Sequence, residues 1–226
     1  QHRGQEGAGM VATDGEGLRV VKGEGLVNEV FNDQNLETLE GFAAIGQNRY
    51  TTEEGRGIEN VQPLVFRSTT GSLAIGMNGN LVNARDLRTS LEQQGSIFQT
   101  NSDTEVLAHL IKRSRGALNQ RERVKKALSV LKGAFAFVLI TDDELMIAQD
   151  PNGLRPLSLG KIGDAWVAAS ETCAFDIIGA EHVRSVEPGE LIIVDKDGLH
   201  SERFAERADR AICSMEYVYF SRPDSN

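Results

Sequence analysis

Residues 76–81 read GMNGNL, and they hold the pairing of side chain and backbone best suited to chemistry in this chain. The Asn78 amide and the Gly79 N–H are two hydrogen-bond donors that can point at one spot. Two such donors make an oxyanion hole, where loss of one costs about a hundredfold or more in rate. The same residues also suit a plain β-turn, since Asn-Gly favours positive φ; on either reading a strand ends here and the chain turns. In NRYTT (48–52), the Arg49 guanidinium could grip a carboxylate through two parallel hydrogen bonds, or simply sit at the surface. NSDTE (101–105) puts Asp103 in the first turn of a helix. A carboxylate there could bind an ammonium group, or only complement the helix dipole. EEGRGIEN (53–60) has the composition of a lid and equally of a solvated loop.

Other reactive residue types offer less. His2, His109, His182 and His200 are scattered without metal-ligand spacing. Cys173 and Cys213 lie far apart, and each reads as a buried, inert thiol. No phosphate loop, dinucleotide fingerprint or Ser-His-Asp arrangement is legible. DPNGLRPLSLG (150–160) carries two prolines and two glycines, which predicts a rigid loop with Arg155 as an internal tether.

Secondary elements must position these groups. Apolar runs at Met10–Ala12 and Leu18–Val21 around Asp14-Gly15 predict a hairpin. LVNEVFNDQNLETL has helical spacing with a polar interruption. GFAAIGQNRY and SLAIGMNGN read as strands. Residues 81–95 read as an amphipathic helix closed by Gly95. Ser102 and Glu105 form a capping-box pattern ahead of the stripe Val106, Leu107, Leu110 and Ile111. ERVKKALSVLKG predicts a helix ending at Gly133. AFAFVLI, ELMIAQD, DAWVAAS and ELIIVD predict strands, with turns at Asp142-Asp143, Gly160–Gly163 and Pro188-Gly189, and TCAFDIIGA a helical turn or two. Strands, then helices, then strands suggest an α+β fold of two mainly antiparallel sheets with helices outside.

The chain has 226 residues, 40% of them hydrophobic, enough for a sizeable core. Its formal net charge of -9 argues against non-specific nucleic-acid binding. No apolar run approaches the roughly 20 residues of a membrane span, and no export signal is legible. The reading is a soluble cytoplasmic protein. QHRGQEGAGM opens with glycines and polar residues that normally punctuate the middle of a domain, so residues ahead of Gln1 are expected.

Each signal is weak alone, but their order is informative. QHRGQEGAG, Arg49-Tyr50 with Thr following, ENVQP, NGNLVN, SDTE, KGAFAF, DPNGLRPL, ASETCAFD, VEPGE and SMEYVYFSRPDS occur in series. This series closely resembles the glutaminase half of the amidophosphoribosyltransferase (glutamine phosphoribosylpyrophosphate amidotransferase) family, across essentially the whole chain. The resemblance implies a four-layer αββα sandwich of the N-terminal-nucleophile hydrolase type. It implies a class II glutamine amidotransferase domain over 1–205, with 206–226 leading into a phosphoribosyltransferase domain beyond Asn226.

The resemblance also assigns roles. Asn78 and the Gly79 backbone would form the oxyanion hole. Arg49 would hold the glutamine α-carboxylate and Asp103 its α-amine, with Thr52 assisting. Residues from Arg49 to about Asn60 would close over glutamine. The nucleophile would be a Cys exposed as residue one, ahead of Gln1, so this stretch alone is expected to hydrolyse no glutamine. Ammonia would pass to phosphoribosylpyrophosphate (PRPP), with magnesium, in purine biosynthesis. In one branch Cys213 would be a ligand of a [4Fe–4S] cluster, and a homo-oligomer is implied. Gln47, Met77 and Glu53-Glu54 replace the family's usual residues, which keeps a non-catalytic glutamine-binding homologue as the alternative. A glutaminase domain of another class II amidotransferase is the other alternative, which SMEYVYFSRPDS argues against.

Overall fold

The computed structural model describes the chain except residues 51–56, 70, 115, 117–118 and 226. Thr52 and Glu53-Glu54 therefore lie outside the described residues, as does most of the loop expected to close over glutamine.

Strands β1 (Gly7–Thr13) and β2 (Leu18–Glu24) form the hairpin expected around Asp14-Gly15, with Thr13 opposite Leu18. The helical spacing that follows yields two four-residue helices, α1 (Val27–Val30) and α2 (Asp33–Leu36), instead of one. Phe31 is extended and Asn32 restarts the helix. Its side chain accepts from the Asn35 N–H, and the Asn35 side chain accepts from the Asn32 N–H. Strand β3 (Ala43–Arg49) pairs with the other edge of β1, placing Arg49 opposite Gly7.

A hairpin of β4 (Leu64–Ser68) and β5 (Gly71–Leu81) leads into α3 (Ala84–Gln93), α4 (Asp103–Arg113) and α5 (Gln120–Leu128). Then come β6 (Gly133–Ile140), β7 (Leu145–Gln149), β8 (Ser158–Ile162) and β9 (Ala165–Ala169). The short helix α6 (Cys173–Ile178), closed by Gly179 in the left-handed conformation, precedes β10 (Glu181–Ser185), β11 (Glu190–Asp195) and β12 (Gly198–Arg203). A π-helical turn spans Glu216–Phe220.

The central sheet is six-stranded and antiparallel, in the order β12-β11-β7-β6-β5-β4. The two-residue period of its strands divides the side chains between two cores. On β6, Phe135, Phe137 and Leu139 face α4 and α5, meeting Leu107, Ile111, Val124 and Leu128. Ala136 and Ile140 face the other way, toward a second β layer. That layer consists of two three-stranded sheets, β2-β1-β3 and β10-β8-β9, not one continuous sheet. Val11 and Ile45 pack on Ala74 and Ile140, while Leu159 and Val186 pack on Ile147 and Ile192. Outside it, α1 lies against β1 and β2, and α6 against β10. The layers are helix, sheet, sheet, helix, an α+β sandwich whose outer helices are short.

Three local expectations are corrected. The Ser102–Glu105 box does not close. Ser102 caps α4 through the Thr104 N–H, but the Glu105 carboxylate turns to the Gln99 and Thr100 N–H groups at 2.8 and 2.7 Å. Thr100 Oγ1 then accepts from the Ser102 N–H, satisfying the donor the box would have used. Helix α5 stops at Leu128, and Gly133 opens β6 at φ +135°, where it lies against the β5 backbone. Gly160 sits inside β8, not in a turn.

Candidate active site

A cleft of about 710 Å³ opens where the two halves of the second β layer meet. Its floor is Met77–Asn80 of β5, and one wall is residues 46–50 at the end of β3. Residues 101–103 at the start of α4 and 168–170 at the end of β9 close the other sides, and Arg3, Arg155 and Phe220 also line the cleft. Arg49, Asn78, Gly79 and Asp103, four residues singled out from sequence, all line it. A smaller cavity of about 300 Å³, between the β4–β5 hairpin and α4–α5, contains none of them.

Asn78-Gly79-Asn80 is not a turn. All three residues lie within β5, paired to Ala136, Phe135 and Ala134 of β6. Glycine is nevertheless required at 79, because φ is +141° and a Cβ would stand 2.0 Å from the Ala134 carbonyl oxygen. The distortion lets one strand carry both a ladder contact and a site. Asn78 Oδ1 accepts from Arg155 Nη2 at 2.7 Å. A guanidinium only donates, so this bond sets which way the amide faces. Asn78 Nδ2 is buried and has no hydrogen-bond partner among the described residues. A buried unsatisfied donor is costly, and such groups are rare in folded proteins unless a site uses them.

Gln47 supplies the complementary feature: its Oε1 is a buried acceptor, also without a partner among the described residues, and the residue lines the same cleft. Arg49 is 8% exposed and donates from Nη1 to the Gly57 carbonyl at 3.2 Å. Burial lowers its pKa, against the raising influence of Glu24, Glu6 and Glu59. Its backbone is held by the entering chain, since the Arg49 carbonyl accepts from the Glu6 N–H and a Cβ on Gly4 would come within 2.3 Å of that oxygen. Asp103 Oδ2 accepts from the Leu81 N–H at 3.0 Å. Burial pushes the Asp103 carboxyl up, and the Leu81 N–H and Arg88 oppose it without cancelling it.

DPNGLRPL is tied down by Asp150. Its buried carboxylate accepts from the N–H groups of Phe135, Asn152, Leu154 and Arg155. That loop delivers Arg155 to Asn78, a contact that sequence reading reduced to an internal tether. Sequence reading also missed a chain of alternating charge beside the cleft. Arg155 pairs with Glu216 at 2.8 Å, Glu216 with Arg3 at 2.9 Å, and Arg3 with Glu171 at 2.8 Å. Burial acts to raise the Glu171 carboxyl, but the Arg222 N–H, Arg3, Ser225 and His2 together hold it down to about 2. The signal was present as separate motifs, QHRGQEG, DPNGLRPL, ASETCAFD and SMEYVYFSRPDS. Only folding brings them to one place.

Neither cysteine lines the cleft. Cys173 is buried, with Sγ 3.8 Å from Glu171, and Cys213 is half-buried. Among the described residues no group of three or more His, Cys, Asp or Glu is arranged to hold a metal ion. Among them also, no helix is long and apolar enough to cross a membrane.

Comparison with known proteins gives the family and the fold. The profile of a family described as glutamine amidotransferase domain matches residues 53–176. The chain is 62% identical over 227 residues to an amidophosphoribosyltransferase of Bacillus subtilis, covering 100% of this chain and 48% of that protein. It is 46% identical to the amidophosphoribosyltransferase of Staphylococcus aureus strain Mu50, covering 46% of that protein. The chain thus spans about half the length of the curated relatives it matches. Among solved structures, the B. subtilis glutamine PRPP amidotransferase complexed with ADP and GMP superposes with a TM-score of 0.96 at 61% identity, covering 100% of this chain and 49% of that one. A glutamine aminotransferase class-II domain protein from Silicibacter pomeroyi superposes with a TM-score of 0.57 at 13% identity, covering 88% of this chain and 91% of that one, which shows the shared fold alone.

Proposed function

This chain belongs to the glutamine amidotransferase domain family, and we propose that its cleft binds glutamine and hydrolyses the side-chain amide, as the glutaminase part of an amidophosphoribosyltransferase. The observation that carries this reading is the unsatisfied pair in the cleft. A buried donor, Asn78 Nδ2, and a buried acceptor, Gln47 Oε1, await partners. A primary carboxamide offers an oxygen to the first and an N–H to the second. Arg49 and Asp103 line the same cleft with the charges that suit an α-carboxylate and an α-ammonium.

In the reaction a thiolate attacks the amide carbon, and the carbonyl oxygen takes up negative charge. Asn78 Nδ2 and the Gly79 N–H stabilise that oxyanion. The tetrahedral intermediate collapses to a thioester as the C–N bond breaks, and the nitrogen leaves as ammonia after taking up a proton. Water then adds to the thioester, releasing glutamate and regenerating the thiol. Since neither Cys173 nor Cys213 lines the cleft, the nucleophile is assigned to a Cys outside these 226 residues, with its own α-amine as base. Thr52 is assigned to assist glutamine binding. Ammonia would be used on PRPP, with magnesium, by a phosphoribosyltransferase domain in the whole protein, in the cytoplasm and as a homo-oligomer. A [4Fe–4S] cluster takes four thiolates, and of these the chain would supply Cys213.

The test is glutamine-dependent ammonia release by the full-length protein. Asn78→Ala is expected to lower kcat about a hundredfold or more. Arg49→Ala should instead weaken glutamine binding, and an unchanged affinity in that variant would refute the assignment. Glutamine bound tightly by the unaltered full-length protein without ammonia release would favour the non-catalytic reading, for which Gln47, Met77 and Glu53-Glu54 are the departures from the family pattern.

A further inference from the structure

We infer that Arg155 is a positioning residue for the oxyanion donor, and that Glu216, on the π-helical turn near the C-terminal end of the chain, holds Arg155 in the position that makes it one. This rests on the reading of Asn78 as that donor.

A side-chain amide has two faces, and only one of them serves an oxyanion. With Nδ2 toward the site, Asn78 donates. Turned by half a rotation, it would present Oδ1 and repel the developing charge. Nothing in the Asn78 amide itself selects the first orientation. Arg155 does, because Nη2 lies 2.7 Å from Oδ1 and a guanidinium has no acceptor to offer Nδ2. The selected orientation leaves Nδ2 buried and unpaired among the described residues, the condition of a donor held ready for a ligand.

Arg155 in turn is fixed at both ends. Its N–H donates to Asp150 Oδ2 at 3.3 Å and its carbonyl accepts from Gln149 Nε2 at 2.7 Å. At the far end, the same Nη2 that reaches Asn78 lies 2.8 Å from Glu216 Oε1. That nitrogen donates to Asn78 Oδ1 and forms an ion pair with Glu216. The Arg155 side chain is 12% exposed and that of Glu216 7%, so water competes weakly for either. Glu216 is held in its turn by Arg3, whose two terminal nitrogens each lie 2.9 Å from one of its oxygens. The Phe220 ring, on the same turn as Glu216, stands 5.5 Å from the Arg155 guanidinium and 5.8 Å from that of Arg3. The turn at 216–220 is thereby linked to the orientation of one amide in the cleft. Arg155 and Glu216 are both required for that orientation, though neither needs to touch glutamine.

The test is a double-mutant cycle in the full-length protein, with steady-state glutaminase kinetics. Arg155→Met is expected to lower kcat at least tenfold while the glutamine KM stays within about twofold, because Arg49 and Asp103 remain in place. Arg155→Lys, which keeps one donor nitrogen and the charge, should recover part of the loss, and Glu216→Gln should fall between Arg155→Met and the parent. In an Asn78→Ala background, Arg155→Met should change kcat by less than twofold, since its effect passes through the amide already removed. An equal loss in both backgrounds, or a loss that appears in KM instead of kcat, would overturn the inference. Should Arg155→Met fail to fold, the same comparison with Glu216→Gln decides it. If Asn78→Ala and Arg49→Ala also leave glutamine turnover intact, the glutamine reading has failed and takes this inference with it. If those two variants are impaired while the Arg155 and Glu216 variants are not, only the positioning role is refuted.

Discussion

Gly79→Ala is the sharpest physical test of the strand that carries the site. Two separate costs are expected. The first is conformational: φ is +141°, and a residue with a Cβ held in such a region costs about 1–3 kcal/mol. The second is steric. The new methyl would stand 2.0 Å from the Ala134 carbonyl oxygen and 2.8 Å from the Phe135 Cα. Both are backbone atoms of β6, so no side chain can swing aside. Reaching 3.4 Å, the start of ordinary contact, requires β6 to retreat by about 1.4 Å (3.4 minus 2.0). That breaks the neighbouring ladder bonds, each worth about 1 kcal/mol net, so two of them add about 2 kcal/mol. The total is about 3–5 kcal/mol, near the exceptional end for one substitution. Two other glycines separate the terms. Gly163 has φ +56° and no atom within 4 Å of its would-be Cβ, so Gly163→Ala should show the conformational cost alone. Gly17 has neither problem, and Gly17→Ala should stay within about 0.5 kcal/mol of the parent. The assay is urea unfolding followed by fluorescence of Trp166, the single tryptophan. With a slope of about 2–3 kcal/mol per molar, Gly79→Ala should lower the midpoint by more than about 1 M. A shift no larger than that of Gly163→Ala would show that the β5–β6 approach is looser than described.

Asp103→Asn should separate stability from function. Burial holds the Asp103 carboxyl above its ordinary range, so its ionised form is less stable in the folded protein than in the unfolded chain. Thermal unfolding at pH 7 should show the Asn variant at least as stable as the parent, while its glutamine KM rises about tenfold or more with the loss of a charged hydrogen bond. Glu171 has the opposite sign. Its folded pKa of about 2 lies below the ordinary 4.5, so its stabilisation is fully present above about pH 4.5 and fades as pH falls toward 2. A shift of that size corresponds to about 3 kcal/mol, so Glu171→Gln should cost roughly that at pH 7, with the gap to the parent narrowing from pH 5 to pH 3 in denaturant titrations. Arg49→Lys should weaken glutamine binding with less effect on kcat, because one ammonium cannot reproduce two parallel bonds to a carboxylate; an unaltered KM would argue against a two-pronged contact.

Local pattern was enough for elements whose residues act on near neighbours. The hairpin at Asp14-Gly15, the stripe of α4 and the apolar strands β6, β7 and β11 follow from alternation, helical spacing and turn chemistry within a few residues. The order of the motifs was enough for the family resemblance, and it brought Arg49, Asn78, Gly79 and Asp103 forward together. What local pattern could not reach was decided by contacts between distant segments. Strands β8, β10 and β12 have polar, mixed sequences and are strands because a neighbour pairs with them. The Ser102–Glu105 box was undone by Gln99 and Thr100, and the NGN turn by Ala134–Ala136, which hold residues 78–80 in the sheet. The orientation of the Asn78 amide depends on Arg155, 77 positions away, and Arg155 depends on Glu216. A hydrogen bond acts over about 3 Å whatever the separation along the chain. Sequence therefore determined which groups were available for chemistry, and tertiary structure decided which way they face.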